Sequence, residues 1–201
     1  VVKLLYHFQV ERKLMNIPVA QIDDQMLLAA FKEEGRKEEA FTQLVKKYQE
    51  RLYWHIRRMV VVHEDADDIL QNVFIKVWRH LDNFKEEAGL YTWLYRIATN
   101  ETLTWLEQQK KRQSISLSEG ESVVSEKIVA QKGYDANKIE WRLQQAMQTL
   151  PQKQRTVFNL RYYDEMPYEQ MSAVLETSVG ALKASYHFAV KKVEEFLLNH
   201  A

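Results

Sequence analysis

Apolar residues recur every three or four positions along most of the chain, the period of a helix with one buried face. Asp23 or Asp24 is placed to cap a first helix carrying Leu27, Leu28 and Phe31. A second helix follows with Phe41, Leu44, Val45, Tyr48, Leu52 and Ile56. A third is predicted from about Asp65 to Leu81, with Ala66, Ile69, Leu70, Val73, Val77 and Leu81 inward. A fourth starts near Gly89 and runs past Trp105 through Leu90, Trp93, Leu94, Ile97 and Ala98. Each is apolar on one side only, so the four are expected to share a core.

The pattern then breaks. Residues 114–138 are rich in Ser and polar groups, which is linker chemistry, although Val123, Val124, Ile128 and Val129 could form a short helix or dock on a partner. Helical periodicity resumes with Ile139, Leu143, Met147 and Leu150, and Pro151 suits the first turn of the next helix, which carries Val157 and Leu160. Beyond the polar break at Asp164 and Glu165, Pro167 starts a short helix with Met171, Val174 and Leu175. A tight connection at Glu176 and Thr177 leads to Ser178, a cap for a longer helix with Val179, Leu182, Tyr186, Ala189 and Val193. Two such helices joined by about three residues have helix-turn-helix spacing, although a plain αα-hairpin shares it. The expected organisation is all-α: a lead-in over 1–21, a helical domain over 22–113, a flexible linker over 114–138, and a second small domain with a helix-turn-helix over 139–198.

Composition narrows the class. Five Gly and three Pro in 201 residues are too few turn residues for most sheet folds. No Cys is present, which removes disulfides, thiolate nucleophiles and Cys-bound metals. No apolar run approaches the roughly 18 residues of a membrane span, and Glu11, Arg12 and Lys13 interrupt the apolar beginning, so a soluble cytoplasmic chain without membrane insertion is expected. Lys plus Arg and Asp plus Glu are 28 each, so a nucleic acid would meet local basic faces rather than a basic protein.

Three groups of residues suggest chemistry. In the last long helix Gly180, Lys183, Ala184, His187 and Lys191 lie opposite the buried stripe, with small residues that permit a close approach to a groove. Ser178 and the free N–H groups of Val179 to Ala181 suit a phosphate. In the third helix Asp68, Gln71, Asn72 and Ile75 form a polar stripe, a docking face or simply a solvated one. The acids at 65, 67 and 68 fit helix capping better than a metal, since their spacing matches no ligand motif. In the fourth helix Tyr91, Trp93, Tyr95 and Trp105 accompany Asn100, with Lys110, Lys111 and Arg112 beyond. One helical face cannot bury all four rings, and exposed aromatics beside amides and bases suit unstacked bases; packing of Trp93 and Tyr95 against neighbouring helices is the alternative. No catalytic constellation, cofactor motif or small-molecule site is apparent.

DADDILQNVFIKVW (65–78), YTWLYRIATN (91–100) and LPQKQRTVFNLRYYDEMPYEQMSAVLETSVGALKASYHFAVKKV (150–193) together resemble a bacterial sigma factor of the extracytoplasmic-function group. The resemblance covers both domains. It implies a non-enzymatic subunit that binds core RNA polymerase at its clamp and flap, directs it to promoters, helps open the duplex and is held by an anti-sigma factor. Asp68, Gln71 and Phe74 then fall in the clamp-docking helix, with packing as the alternative role for Phe74. Trp93, Tyr95, Arg96, Asn100 and Trp105 fall in the segment meeting the opened −10 element. Ser178, Val179, Gly180, Lys183, Ser185, His187 and Lys191 belong to the −35 recognition helix and its start.

Some positions depart from the family pattern. Asn72 replaces a usual Glu, and Thr99, Glu107, Gln108, Ser185, Phe188 and Val190 stand where bases are common. Glu176 occupies a usual turn Gly. Fewer phosphate contacts imply weak affinity for free DNA. A stand-alone helix-turn-helix regulator and a non-DNA adaptor remain the competing readings; neither requires the stripe at 68–72 nor the aromatic segment at 91–105.

Overall fold

The computed structural model describes residues 23–60, 62–86, 88–116 and 139–199. The proposed lead-in at 1–21 and linker residues 117–138 lie outside them. The described chain is all-α, in two helical clusters. The first holds α1 (Asp24–Lys32), α2 (Lys37–Val60), α3 (His63–His80) and α4 (Leu90–Ser116), with a 3-10 turn at Leu81–Asn83. The second holds α5 (Ile139–Thr149), α6 (Gln152–Phe158) continuing as a π turn (Asn159–Tyr163), α7 (Tyr168–Leu175) and α8 (Val179–Asn199).

The apolar stripes become the core. Leu28, Phe31, Leu44, Leu52, Ile56, Val73, Val77 and Leu94 are all buried in the first cluster. Phe41 meets Trp78 edge-on with centroids 4.9 Å apart, and Phe31 does so at 5.6 Å, which seats α1 and α2 on α3. Helix α1 is also tied by Asp24, whose carboxylate accepts from the Tyr48 hydroxyl and the Lys47 ammonium at 2.7 Å. Asp23 and Val62 are the N-cap residues, and neither helix start has a side-chain cap bond. Helix α3 begins at His63 because Val62 is extended (φ −87°, ψ 135°), leaving Asp67 in the helix beside His63 at 3.4 Å. Glu64 and Asp65 still occupy the first turn, where negative charge complements the dipole.

In the second cluster Pro151 and Pro167 stand one position before α6 and α7, as N-cap residues with extended ψ. Residues 176–178 join α7 to α8. Glu176 closes α7 in the left-handed region at φ 51°, ψ 40°, and Ser178 Oγ accepts from the Ala181 N–H at 3.4 Å. A local core of Ala146, Met147, Leu150, Phe158, Ala189 and Val193 fixes α5 and α6 on α8.

The clusters are not independent bodies in this arrangement. Val157, Leu160, Met166, Met171, Val174 and Leu182 belong to the same continuous apolar core as Leu94, Tyr95 and Ala98 of α4. Separate periodicities in the sequence gave no sign of this contact, because a stripe shows that a face is buried and not what buries it.

Candidate functional site

Three surfaces and one interior cluster emerge from this packing. On α3, Asp68, Gln71 and Asn72 are exposed and Ile75 is half-buried, so these four form one accessible stripe. Phe74 takes the packing alternative: it is 3% exposed and its ring meets Phe41 edge-on in the core. It lies one third of a turn from the stripe, so its side chain supports α3 from behind and is not presented to a partner.

The second surface is α8. Its buried positions Leu182, Ala189 and Val193 turn Gly180, Lys183, His187 and Lys191 outward, and all four are exposed. Val179 and Ser185 are half-buried, while Ser178 is exposed at the helix start. Lys183 Nζ lies 5.7 Å from the Tyr168 ring centroid, which holds the ammonium near α7. Phe188 adds an exposed aromatic beside His187, with centroids 5.8 Å apart.

The third surface, α4, carries fewer free rings than the sequence suggested. Tyr95 is buried, and Tyr91, Trp93 and Trp105 are half-buried. Trp93 packs on Phe84 at 4.9 Å. Helix α4 is enclosed from two sides, by α2 and α3 and by the second cluster, so more than one of its faces is buried. Arg96, Asn100, Lys110, Lys111 and Arg112 remain exposed. Arg96 pairs with Glu176 of the helix-turn-helix, and Lys110 donates to Gln152 Oε1 at 2.9 Å. A cleft of about 530 Å³ opens between Leu103 and Glu107 of α4 and Lys153, Leu175 and Ser185 opposite.

Between the clusters lies a polar group that the sequence did not single out. His55 is fully buried, with Nδ1 2.8 Å from Asp164 Oδ2 and Nε2 3.0 Å from Thr99 Oγ1. Tyr95 donates to Asp164 Oδ1 at 3.2 Å, and the Arg58 guanidinium stands 3.6 Å from the same oxygen. Asn159 Nδ2 donates to the His55 carbonyl at 2.8 Å. Burial, and then the Asp164 charge, push ionisation of the Tyr95 hydroxyl well above its ordinary range; burial also raises that of Tyr91. Hydroxyl, imidazole and carboxylate are ordered as in a nucleophilic triad, but Thr99 and His55 are both 0% exposed, so no substrate carbonyl reaches the hydroxyl. The available signal was a polar residue inside an apolar stripe: His55 between Leu52 and Ile56, Asn159 between Phe158 and Leu160. Among the described residues no cluster of three or more metal-binding side chains occurs, and no helix is long and apolar enough to cross a membrane.

Comparison with known proteins gives this geometry its context. Residues 44–112 match the family model of sigma-70 region 2, and residues 140–193 match that of sigma-70 region 4. The ECF RNA polymerase sigma-E factor of Escherichia coli is 30% identical over 172 residues, covering 82% of this chain and 88% of that protein. The chain belongs to the ECF sigma-factor family. This sigma factor is also 29% identical to RNA polymerase sigma-H factor of Pseudomonas aeruginosa, over 89% of its own length and 96% of the relative's. Its fold matches CnrH, solved in complex with the cytosolic domain of CnrY, with a TM-score of 0.64 at 23% identity over 89% of this chain and 99% of that one. RpoE of Bartonella quintana, solved with the anti-sigma factor NepR, matches with a TM-score of 0.67 at 21% identity, over 79% and 97% of the respective chains. As a sigma factor the chain is a specificity subunit rather than an enzyme.

Proposed function

We propose that this sigma factor docks on the clamp of core RNA polymerase through Asp68, Gln71, Asn72 and Ile75 of α3, and on the flap through its second cluster. It reads the −35 element with the outward face of α8 and meets the opened −10 element with α4. One observation carries the reading: the helix-turn-helix presents Gly180, Lys183, His187 and Lys191 together, all exposed, while a separate helix presents an exposed acidic-amide stripe. A regulator that works alone has no use for the second surface. The near-neutral charge fits a subunit that reaches DNA inside a larger complex, where polymerase supplies most phosphate contacts. An anti-sigma protein, as in the complex of the Bartonella RpoE with NepR, is the expected inhibitor, competing for the same polymerase-binding surfaces.

The test is co-purification with core polymerase and run-off transcription on genomic fragments. Asp68→Arg combined with Gln71→Ala is expected to keep the helical circular dichroism and melting temperature while reducing core binding at least tenfold. Normal core affinity in the folded double mutant removes α3 as the docking surface, and no core binding by the parent protein removes the reading altogether.

A further inference from the structure

The outward face of α8 holds a side chain that the fold does not use. Leu182, Ala189 and Val193 define the buried side of the helix. At about 100° per residue, Gly180, Ala184, His187 and Lys191 then lie at the centre of the outward face, with Phe188 about 60° to one side and Lys183 about 80° to the other. Phe188 is 55% exposed, and its ring neighbour is the exposed His187, 5.8 Å away between centroids. Tyr186, two residues earlier, shows the alternative: it is half-buried, with its ring 5.9 Å from Phe158 and 6.5 Å from Tyr168. An exposed phenyl ring forfeits the burial that makes an aromatic stabilising.

The neighbouring groups divide the face. Lys183 Nζ stands 5.7 Å from the Tyr168 ring, within cation–π reach, and the Arg161 guanidinium lies 5.2 Å from the same ring. This draws both cations toward α7, the helix that crosses the DNA backbone in helix-turn-helix docking, where a positive charge meets phosphate. Gly180 and Ala184 project almost nothing, so they let the centre of α8 approach the base edges. His187 and Phe188, one turn further on, are the first bulky side chains that such an approach brings to the bases. Phe188 can neither donate nor accept a hydrogen bond, so the donor and acceptor code of the major groove is closed to it. What remains for a ring is the 5-methyl group of thymine. Against the polar edge of another base the ring would cover hydrogen-bonding groups and return no partner.

We infer that Phe188 is a specificity-determining residue of this sigma factor, and that its ring packs on the 5-methyl group of a thymine in the −35 element. The inference rests on the proposed reading of α8 and deepens it by naming one base that the helix selects. Basic side chains are common at this position in the family, and an Arg there would select guanine through its O6 and N7. The ring exchanges a hydrogen-bonded contact for an apolar one, so the selected base changes from guanine to thymine. It also removes a charge, which fits the weak affinity for free DNA expected from the sequence.

The test uses holoenzyme assembled from core polymerase and the full chain. Holoenzyme first selects binding fragments from a library with a randomised upstream region. Each thymine of the enriched −35 element is then replaced singly by uracil, which lacks only the methyl group, and binding is compared by mobility shift. At one thymine the replacement is expected to weaken the parent holoenzyme about fourfold, the equivalent of one methyl group withdrawn from apolar contact. Phe188→Ala is expected to weaken binding to the unmodified element by at least as much, and to bind its thymine and uracil forms alike. Phe188→Arg is expected to enrich guanine at the same position. Both variants keep the fold, since the ring is exposed, and are expected to bind core polymerase like the parent. Equal uracil sensitivity in the parent and in Phe188→Ala overturns the inference. So does loss of core affinity in Phe188→Ala with its DNA preference unchanged, which would make the ring a protein contact. An enriched element that responds to Lys183→Ala and not to Phe188→Ala overturns the inference and leaves the reading of α8 standing. If the parent enriches no upstream element, that reading fails and the inference fails with it.

Discussion

Glu176 holds a backbone conformation that suits glycine. At φ 51° and ψ 40° its Cβ crowds the following carbonyl, a strain of roughly 1–2 kcal/mol for an L-residue. Its exposed ion pair with Arg96 returns no more than about 1 kcal/mol. Glu176→Gly is therefore expected to raise the melting temperature by a few degrees, while Glu176→Gln, which keeps the strain and loses the pair, lowers it slightly. A fall in both variants would show that the ion pair outweighs the strain. Gly180 presents the opposite balance. A Cβ there would meet nothing within 4 Å, so the fold itself gives no reason for glycine in α8. Gly180→Ala should stabilise the free protein by up to roughly 1 kcal/mol. If the bare backbone serves a close approach to DNA, the same variant weakens binding of holoenzyme to a −35 fragment. Equal or better binding by the alanine variant, read by mobility shift, would remove that role.

At the scale of single helices, α3 shows how narrow the division between support and presentation is. Phe74 and Ile75 are neighbours, one in the core and one at the rim of the exposed stripe. Phe74→Ala is expected to lower stability by about 3–5 kcal/mol in urea unfolding, the range for a buried aromatic, and to impair core binding only through unfolding. Loss of core affinity in a variant whose unfolding midpoint is unchanged would return Phe74 to the contact surface. The stripe itself was legible in the sequence, because helical periodicity alone sorts Asp68, Gln71 and Asn72 from Ile69, Val73 and Val77. Helix α4 was less legible. Its aromatics at 91, 93 and 95 spread around the axis, which reads as exposure for a helix with one buried face. With a second cluster against it, the same spread becomes packing on two sides. Of the two aspartates that could cap α1, Asp23 takes the N-cap position without a side-chain cap bond, and Lys47 and Tyr48 take the Asp24 carboxylate.

The molecule as a whole carries an alkaline signature. Burial, then the Asp24 carboxylate, hold the Tyr48 hydroxyl far above its ordinary value of 10.0; burial and Asp164 do the same for Tyr95. Below pH 10 both phenols are neutral in folded and unfolded chains, and their contribution is fully present. Above pH 10 the unfolded chain sheds these protons first, so stability falls by up to about 1.4 kcal/mol per pH unit for each. Helix loss by circular dichroism above pH 10 should coincide with the last phenolate absorbance, and Tyr48→Phe should make the decline shallower. Complete phenolate formation with the helices intact would contradict the burial of these hydroxyls.

The chain's periodicity determined the helices, the inward faces of all but α4, and the spacing of the two helices joined at 176–178, because each depends on residues within a few turns of one another. The motifs over 65–100 and 150–193 determined the family. Only the tertiary structure decided that the two clusters share a core, that α4 is enclosed on both sides, and that Phe74 belongs to the interior. It alone joined His55 to Thr99, Asn159 and Asp164, residues 44 to 109 positions away. The π turn that aligns Asn159 with Asp164 departs from the 3.6-residue period on which the sequence was read. A buried polar partner is chosen by proximity in space and by the need to satisfy a desolvated charge, and neither leaves a period in the sequence.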